Sequence, residues 1–198
     1  MIIERRTYQL PEVNRREVLR YAKAQGSSDK ATLDCMERAI SEITPVIAPR
    51  LCFLRAPLEL RPPDVAFGGL EIRSHDLCKA LNGCTEAIAF AGTIGLDVDR
   101  AIAKYSRLSP VMALFCQAIG AERIEALCDA FCDEVRSQNP QMLLKPRFSP
   151  GFGDLALDLQ KTLTQTLDTT RQIGMSLNGS LLMSPSKSVT AIMGLSPL

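Results

Sequence analysis

The sequence is poor in the groups that most often run chemistry. It has one histidine, His75, and no Cys-x-x-Cys pair. No serine sits in a Gly-x-Ser-x-Gly elbow, and no cysteine has an obvious histidine partner. These gaps remove the ready nucleophile–base pairs and leave no catalytic residue to name. There is no polybasic run, and the net charge is +1, so nothing draws the chain to nucleic acid or to an anionic membrane surface. No apolar run approaches the roughly 20 residues that span a bilayer. The N-terminus, MIIERRTYQL, lacks the apolar core of a secretory signal. A soluble, cytoplasmic protein is the expectation.

What is present is enough for one globular domain of 198 residues. The division expected inside it is an N-terminal helical segment over 1–48 and an α+β core over 49–198. Seven cysteines are scattered along the chain. Their odd number and wide spacing do not suit a disulfide scaffold. Cys128 and Cys132 are four apart and share a helix face, but no second ligand pair is visible. Packing, not metal binding, is the reading for both.

Hydrophobic period places the elements. Helices are expected from Asn14 to Gly26 and from about Ser28 to Pro45, which should bend or end the second one. RLCFLRAPLEL and DVAFGGLEI read as strands, HDLCKALNG as a short helix ending at Gly83, and Glu86 to Thr93 as a buried strand. LDVDRAIAKYSRL reads as a helix with Asp97 and Asp99 at its positive end. A long helical region covers Ser109 to Gln138, with Gly120 as a candidate break. Leu155, Leu159, Leu163 and Leu167 are four apart, as in one helix. The tail reads as two short strands around a turn at Ser184 to Lys187. Strands and helices alternate without a strict rhythm, which favours α+β with a mixed or antiparallel twisted sheet and flanking helices.

Two glycine-rich or Lys-Ser stretches fail as phosphate loops. The segment before Lys187 and Ser188 lacks the glycines of a Walker loop. FAGTIG lacks the dinucleotide spacing. The stretch LKPRFSPGFGD holds up better. Arg147 ends an extended run, Pro150 and Gly151 mark a turn, and an arginine there can grip an anion with two parallel hydrogen bonds. A lone loop arginine is more often a solvated charge.

RFSPGF resembles the R-x-x-P-G-aromatic motif of the activation domain of cobalamin-dependent methionine synthase. The tail GMSLNGSLLMSPSKSVTAIMG is similar to the end of that domain. It carries an apolar-Gly-Met-x-Leu opening, Ser180 six residues after Gly174, then Met183-Ser184-Pro185 and Ser188-Val189. LCDAFCDEVR resembles the domain's long helix, with Glu125 just before it. These matches cover about the last third of the chain, and the rest agrees in general character with small stand-alone relatives.

The resemblance implies binding of S-adenosylmethionine, used as methyl donor when an inactive corrinoid is reductively remethylated. It implies Arg147, Ser149, Pro150, Gly151, Phe152 and Glu125 as the binding residues. Arg147 would pair with the ligand's carboxylate and Glu125 would balance its ammonium. Phe152, which stands where the large enzyme has a tyrosine, would lie against the adenine or sulfonium. Methyl transfer from a sulfonium asks for alignment, not for an acid–base pair. The family's ligand-touching tyrosine pair has no equivalent, and the cobalt-ligating DxHxxG pattern is absent. Cobalamin would therefore come only with a corrinoid-binding methionine synthase core on a separate chain, and the electron from a donor such as flavodoxin. Two other readings stand beside this one: a sensing or docking module, and an independent small-molecule methyltransferase.

Overall fold

The computed structural model describes residues 2–198. A five-stranded antiparallel sheet lies at its centre, with strand order β1-β2-β6-β10-β7. The strands are β1 (Glu4–Thr7), β2 (Arg50–Pro57), β6 (Glu86–Thr93), β7 (Met142–Leu144) and β10 (Ser188–Pro197). A small sheet, β3 (Glu59–Arg61), β4 (Asp64–Phe67) and β5 (Leu70–Arg73), stands apart, and β8 (Ser176–Leu177) pairs with β9 (Met183–Ser184). The α+β class and the antiparallel sheet agree with the sequence reading.

The three inner strands are apolar on both sides because both faces of the sheet are covered. Cys52, Leu54, Ala87, Ala89, Ala91 and Ile192 point to one face. That face is covered by α3 (His75–Ala80), α6 (Leu159–Thr166), α7 (Thr169–Ile173) and the small sheet. Leu51, Phe53, Ile88, Phe90, Ala191, Met193 and Leu195 point the other way, onto Cys128, Phe131, Cys132 and Val135 of α5 (Pro110–Gln138). The first half of α5 is buried again on its far side by α1 (Arg15–Tyr21), α2 (Lys30–Ile43) and α4 (Leu96–Leu108). A helix covered on two sides loses the single apolar stripe of a surface helix.

Capping explains the helix starts. Asn14 Oδ1 accepts from Glu17 N at 3.3 Å, Asp29 Oδ2 from Thr32 N at 2.9 Å, and Ser109 Oγ from Met112 N at 3.4 Å. Pro110 then opens α5, where its missing N–H costs nothing.

Several boundaries differ from the sequence reading. α1 stops at Tyr21, short of Gly26, and Lys23 turns the chain with φ +55°. Segment 1–48 is not helical alone, since β1 within it pairs with β2. α5 runs unbroken through Gly120, and the stem of Lys187 packs across that position. A Cβ there would stand 2.9 Å from Lys187 Cε. The leucines at spacing four do not make one helix. Leu155 lies ahead of α6, and Asp168, at φ +46°, separates α6 from α7. The tail has a strand on each side of the Ser184–Lys187 turn, β9 and β10, but the second is not short: β10 has ten residues and is paired on both edges, to β6 and to β7.

The N-terminal segment is pinned by a buried charge pair. The Arg123 and Glu122 side chains are 4% and 7% exposed and bonded to each other. Arg123 also donates to the carbonyls of Pro11 at 2.5 Å and Glu12 at 3.2 Å, while Asn14 N donates to Glu122 Oε1 at 3.1 Å. Removing one partner strands the other charge in the interior. Arg123→Ala is expected to cost roughly 3–5 kcal/mol, measured by urea denaturation with an unchanged slope. A loss below about 1 kcal/mol would mean that the pin is dispensable.

Candidate functional site

The site is built on the outer edge of β10. β7 pairs with its end, Leu195 opposite Leu144. The chain then stays beside β10: Lys145 N donates to Gly194 O at 2.8 Å, and Phe148 and Ile192 exchange both backbone hydrogen bonds at 2.8 Å. Side chains alternate along this run. Phe148 packs with the α6 face of the sheet, and Arg147 points to α5.

Arg147 is held there by two carboxylates one helical turn apart. Nη2 donates to Glu125 Oε2 at 2.9 Å and lies 3.2 Å from Asp129 Oδ1. Its side chain is 26% exposed, against 51% for Glu125 and 68% for Asp129. Burial works against the guanidinium charge, but Cys128, Glu125, Cys132 and Asp129 around it hold its pKa above the ordinary arginine value. Nη1 is buried and has no hydrogen-bond partner. An unsatisfied buried N–H costs about 1–3 kcal/mol, so this atom is a donor in want of an acceptor.

The next residues form a tight turn. Phe152 N donates to Ser149 O at 3.1 Å, with Pro150 and Gly151 between them and Gly151 at φ +93°. That is the pattern of a type II turn, proline second and glycine third. Leu155 closes the loop: its carbonyl accepts from Gly151 N at 2.8 Å, and its N–H donates to Phe152 O at 2.9 Å. Pro150 is buried, and Phe152 is 61% exposed at the apex. Its ring centroid lies 6.2 Å from that of Phe148.

The sequence-derived residues thus fall into two groups. Arg147 and Glu125 meet on the α5 side. Ser149, Pro150, Gly151 and Phe152 form the turn, with Phe152 against Phe148. Glu125 lies inside α5, within the long helical region expected there, and its carboxylate already pairs with Arg147 while remaining half exposed. A groove of about 580 Å³ beside this pair is lined by Glu125, Asp129, Glu12, Glu17 and Asp133. Neither Arg147 nor the turn lines it.

Asp129 was missed by the sequence reading, although its spacing of four from Glu125 puts both on one helix face. Asp154, Ser74 and Asp76, which anchor the loop from behind, carry no sequence signal at all, because 78 to 80 positions separate the partners.

An antiparallel sheet backed by helices, with an arginine and a proline–glycine turn along one strand edge, defines the class of fold. No known protein-family model matches the chain, and no curated protein sequence does. Among solved structures it is similar to the crystal structure of the MetH reactivation domain bound to AdoHcy. The TM-score is 0.77 and the identity 13%, over 100% of this chain and 79% of that one. The chain has the reactivation-domain fold. Among the described residues no helix is long and apolar enough to cross a membrane, and no cluster of histidine, cysteine and carboxylate side chains could hold a metal ion.

All seven cysteines are free. Burial raises the thiols of Cys52 and Cys128 to about 12 and that of Cys116 to about 11. Cys78 is buried and Cys84 half-buried, and burial raises both of their pKa values. Thiolate, not thiol, is the reactive form. A chromogenic disulfide reagent at mildly alkaline pH should therefore label Cys35 and Cys84 first and the five buried thiols only on unfolding. Rapid labelling of Cys128 in the folded protein would contradict the packing around Arg147.

Proposed function

We propose that the chain is a stand-alone activation subunit for a cobalamin-dependent methionine synthase or a related corrinoid methyltransferase, with S-adenosylmethionine as its ligand. The observation that carries the reading is Arg147 Nη1: a buried, unpartnered guanidinium N–H at the position where the family motif places its carboxylate-binding arginine. The likeness of the whole chain to a reactivation domain with bound AdoHcy supports it.

The residues present suit such a ligand. Its carboxylate is the acceptor that Nη1 lacks. Reaching that buried atom requires the Arg147 side chain to turn outward from β10. Those two acids, exposed on α5, also offer a counter-charge to an ammonium. Phe152 presents an aromatic face for an adenine or a sulfonium. When bound, S-adenosylmethionine supplies a methyl group to a reduced corrinoid cobalt held on another polypeptide, leaving S-adenosylhomocysteine. The chain's own work is to hold the donor with its methyl group toward that partner, and positioning of this kind needs no general acid or base. The corrinoid-binding partner and a one-electron donor such as flavodoxin belong to the same proposal.

A second reading, a docking module without ligand, draws on a different fact. Nη2 of Arg147 already has two carboxylate partners within the chain. Calorimetric titration with S-adenosylmethionine separates the two. The parent is expected to bind, and Arg147→Ala to bind roughly 10- to 150-fold more weakly, the equivalent of one charge-assisted hydrogen bond. The variant's thermal midpoint should change little, because Glu125 and Asp129 remain in water. Equal affinity for both proteins would remove Arg147 from the site. No binding by the parent would favour the docking module.

A further inference from the structure

We infer that Asp154 and Asp76 form a latch that fixes the Phe152 turn, and that both are positioning residues for the site proposed above. The inference rests on that reading only for the identity of the ligand.

The turn has an anchor on each side. On the N-terminal side it is the double hydrogen bond between Phe148 and Ile192. On the C-terminal side it is Asp154. Its carboxylate accepts from the Ser74 hydroxyl, from His75 N at 2.8 Å and from Asp76 N at 3.2 Å. The contact is reciprocal, because Asp154 N donates to Asp76 Oδ2 at 3.2 Å. Glycine at 153 leaves the room for this: a Cβ there would collide with the Asp76 carboxylate. Asp76 Oδ1 is in turn held by Lys79 Nζ at 3.1 Å.

The other end of the latch does not move freely. Ser74 is 2% exposed, donates its N–H to Pro63 O at 2.9 Å, and caps α3 by accepting from Leu77 N at 3.0 Å. Leu77, Cys78 and Leu81 of the same segment are packed into the core with β4 and β5. Asp154 is therefore a second, remote cap on α3, supplied by the loop. Helix α3 has its own serine cap already, so the remote carboxylate does more for the loop than for the helix. Two carboxylates come close together here, and only the surrounding donors make that favourable. The product of this arrangement is a phenylalanine held out in water between two rigid anchors. An aromatic ring fixed in that way loses little freedom when a flat ligand stacks on it.

The test compares parent, Asp154→Ala, Asp76→Ala and Asp76→Asn. Three quantities are read: amide hydrogen exchange over residues 149–155, affinity for S-adenosylhomocysteine by calorimetry, and the thermal midpoint. Asp154→Ala and Asp76→Ala should speed exchange in the loop at least about tenfold and weaken affinity by a similar factor. The exchange of β6 and β10 should not change. Asp76→Asn keeps an oxygen for the Asp154 N–H and should restore most of both. If Asp154→Ala is too unstable to study, the Asp76 pair decides alone. Unchanged loop exchange in the alanine variants overturns the latch. So does affinity within twofold of a parent whose binding Arg147→Ala weakens as expected above, and the proposed function would survive that result. A parent that does not bind, with loop exchange still faster in Asp154→Ala, would overturn the ligand and leave the latch standing.

Discussion

The pairing of β10 on both edges is the constraint on which the rest of the site depends. One edge is taken by β6 over eight register pairs, Ser188 to Leu195. The other edge carries β7, then the Lys145 and Phe148 contacts. This second edge turns a loop into a measured extension of the sheet. It fixes the alternation, so that Arg147 must face α5 and Phe148 must face α6. A slip of one residue would reverse both side chains, burying the guanidinium against the Leu155–Leu163 core and sending the phenyl ring toward carboxylates. The bridge at Ile192 thus selects which side chain meets the α5 carboxylates.

Electrostatics then shape what Arg147 can do. The outward stripe of α5 changes character along its length. Val111 and Leu114 are exposed near its start, while Glu125, Asp129 and Asp133 are exposed further on. Arg147 lies against the acidic half. Its charge is offset, its orientation is held at Nη2, and Nη1 remains free. A guanidinium has several donors in a rigid fork, so one can be held by the scaffold while another waits for an acceptor. A lysine could not divide its role in this way. The buried Arg123 and Glu122 pair, only a short distance away in sequence, is the opposite case. Arg123 spends its donors on Glu122 and the N-terminal carbonyls, and it serves the fold.

The parts of the fold legible in the sequence are those decided locally. The helix starts at Asn14, Asp29 and Ser109 follow from side chains that bond their own backbone a few residues on. The buried strand over Glu86 to Thr93 follows from an apolar run bounded by turn residues. The errors cluster where a distant neighbour overrides local preference. Leucine spacing predicted a helix through Leu155, but Leu155 is used to close the turn. Glycine suggested a break at position 120, but Lys187 occupies the space beside it. The final strand looked short because the residues that pair with it come from two distant parts of the chain, β6 and the run from β7 to Phe148.

The site divides in the same way. The sequence alone determined its local chemistry: an arginine at the end of an extended run, and a proline–glycine pair that makes a type II turn with an exposed aromatic after it. These depend on dihedral preferences and on neighbours within a few residues. Only the tertiary structure decided that Glu125 and Asp129 would take Arg147 Nη2, that Nη1 would be left without a partner, and that Asp154 would lock the turn to α3 across 80 positions. Those contacts join segments far apart in sequence. Their formation depends on how strands and helices pack, which no local pattern of residues encodes.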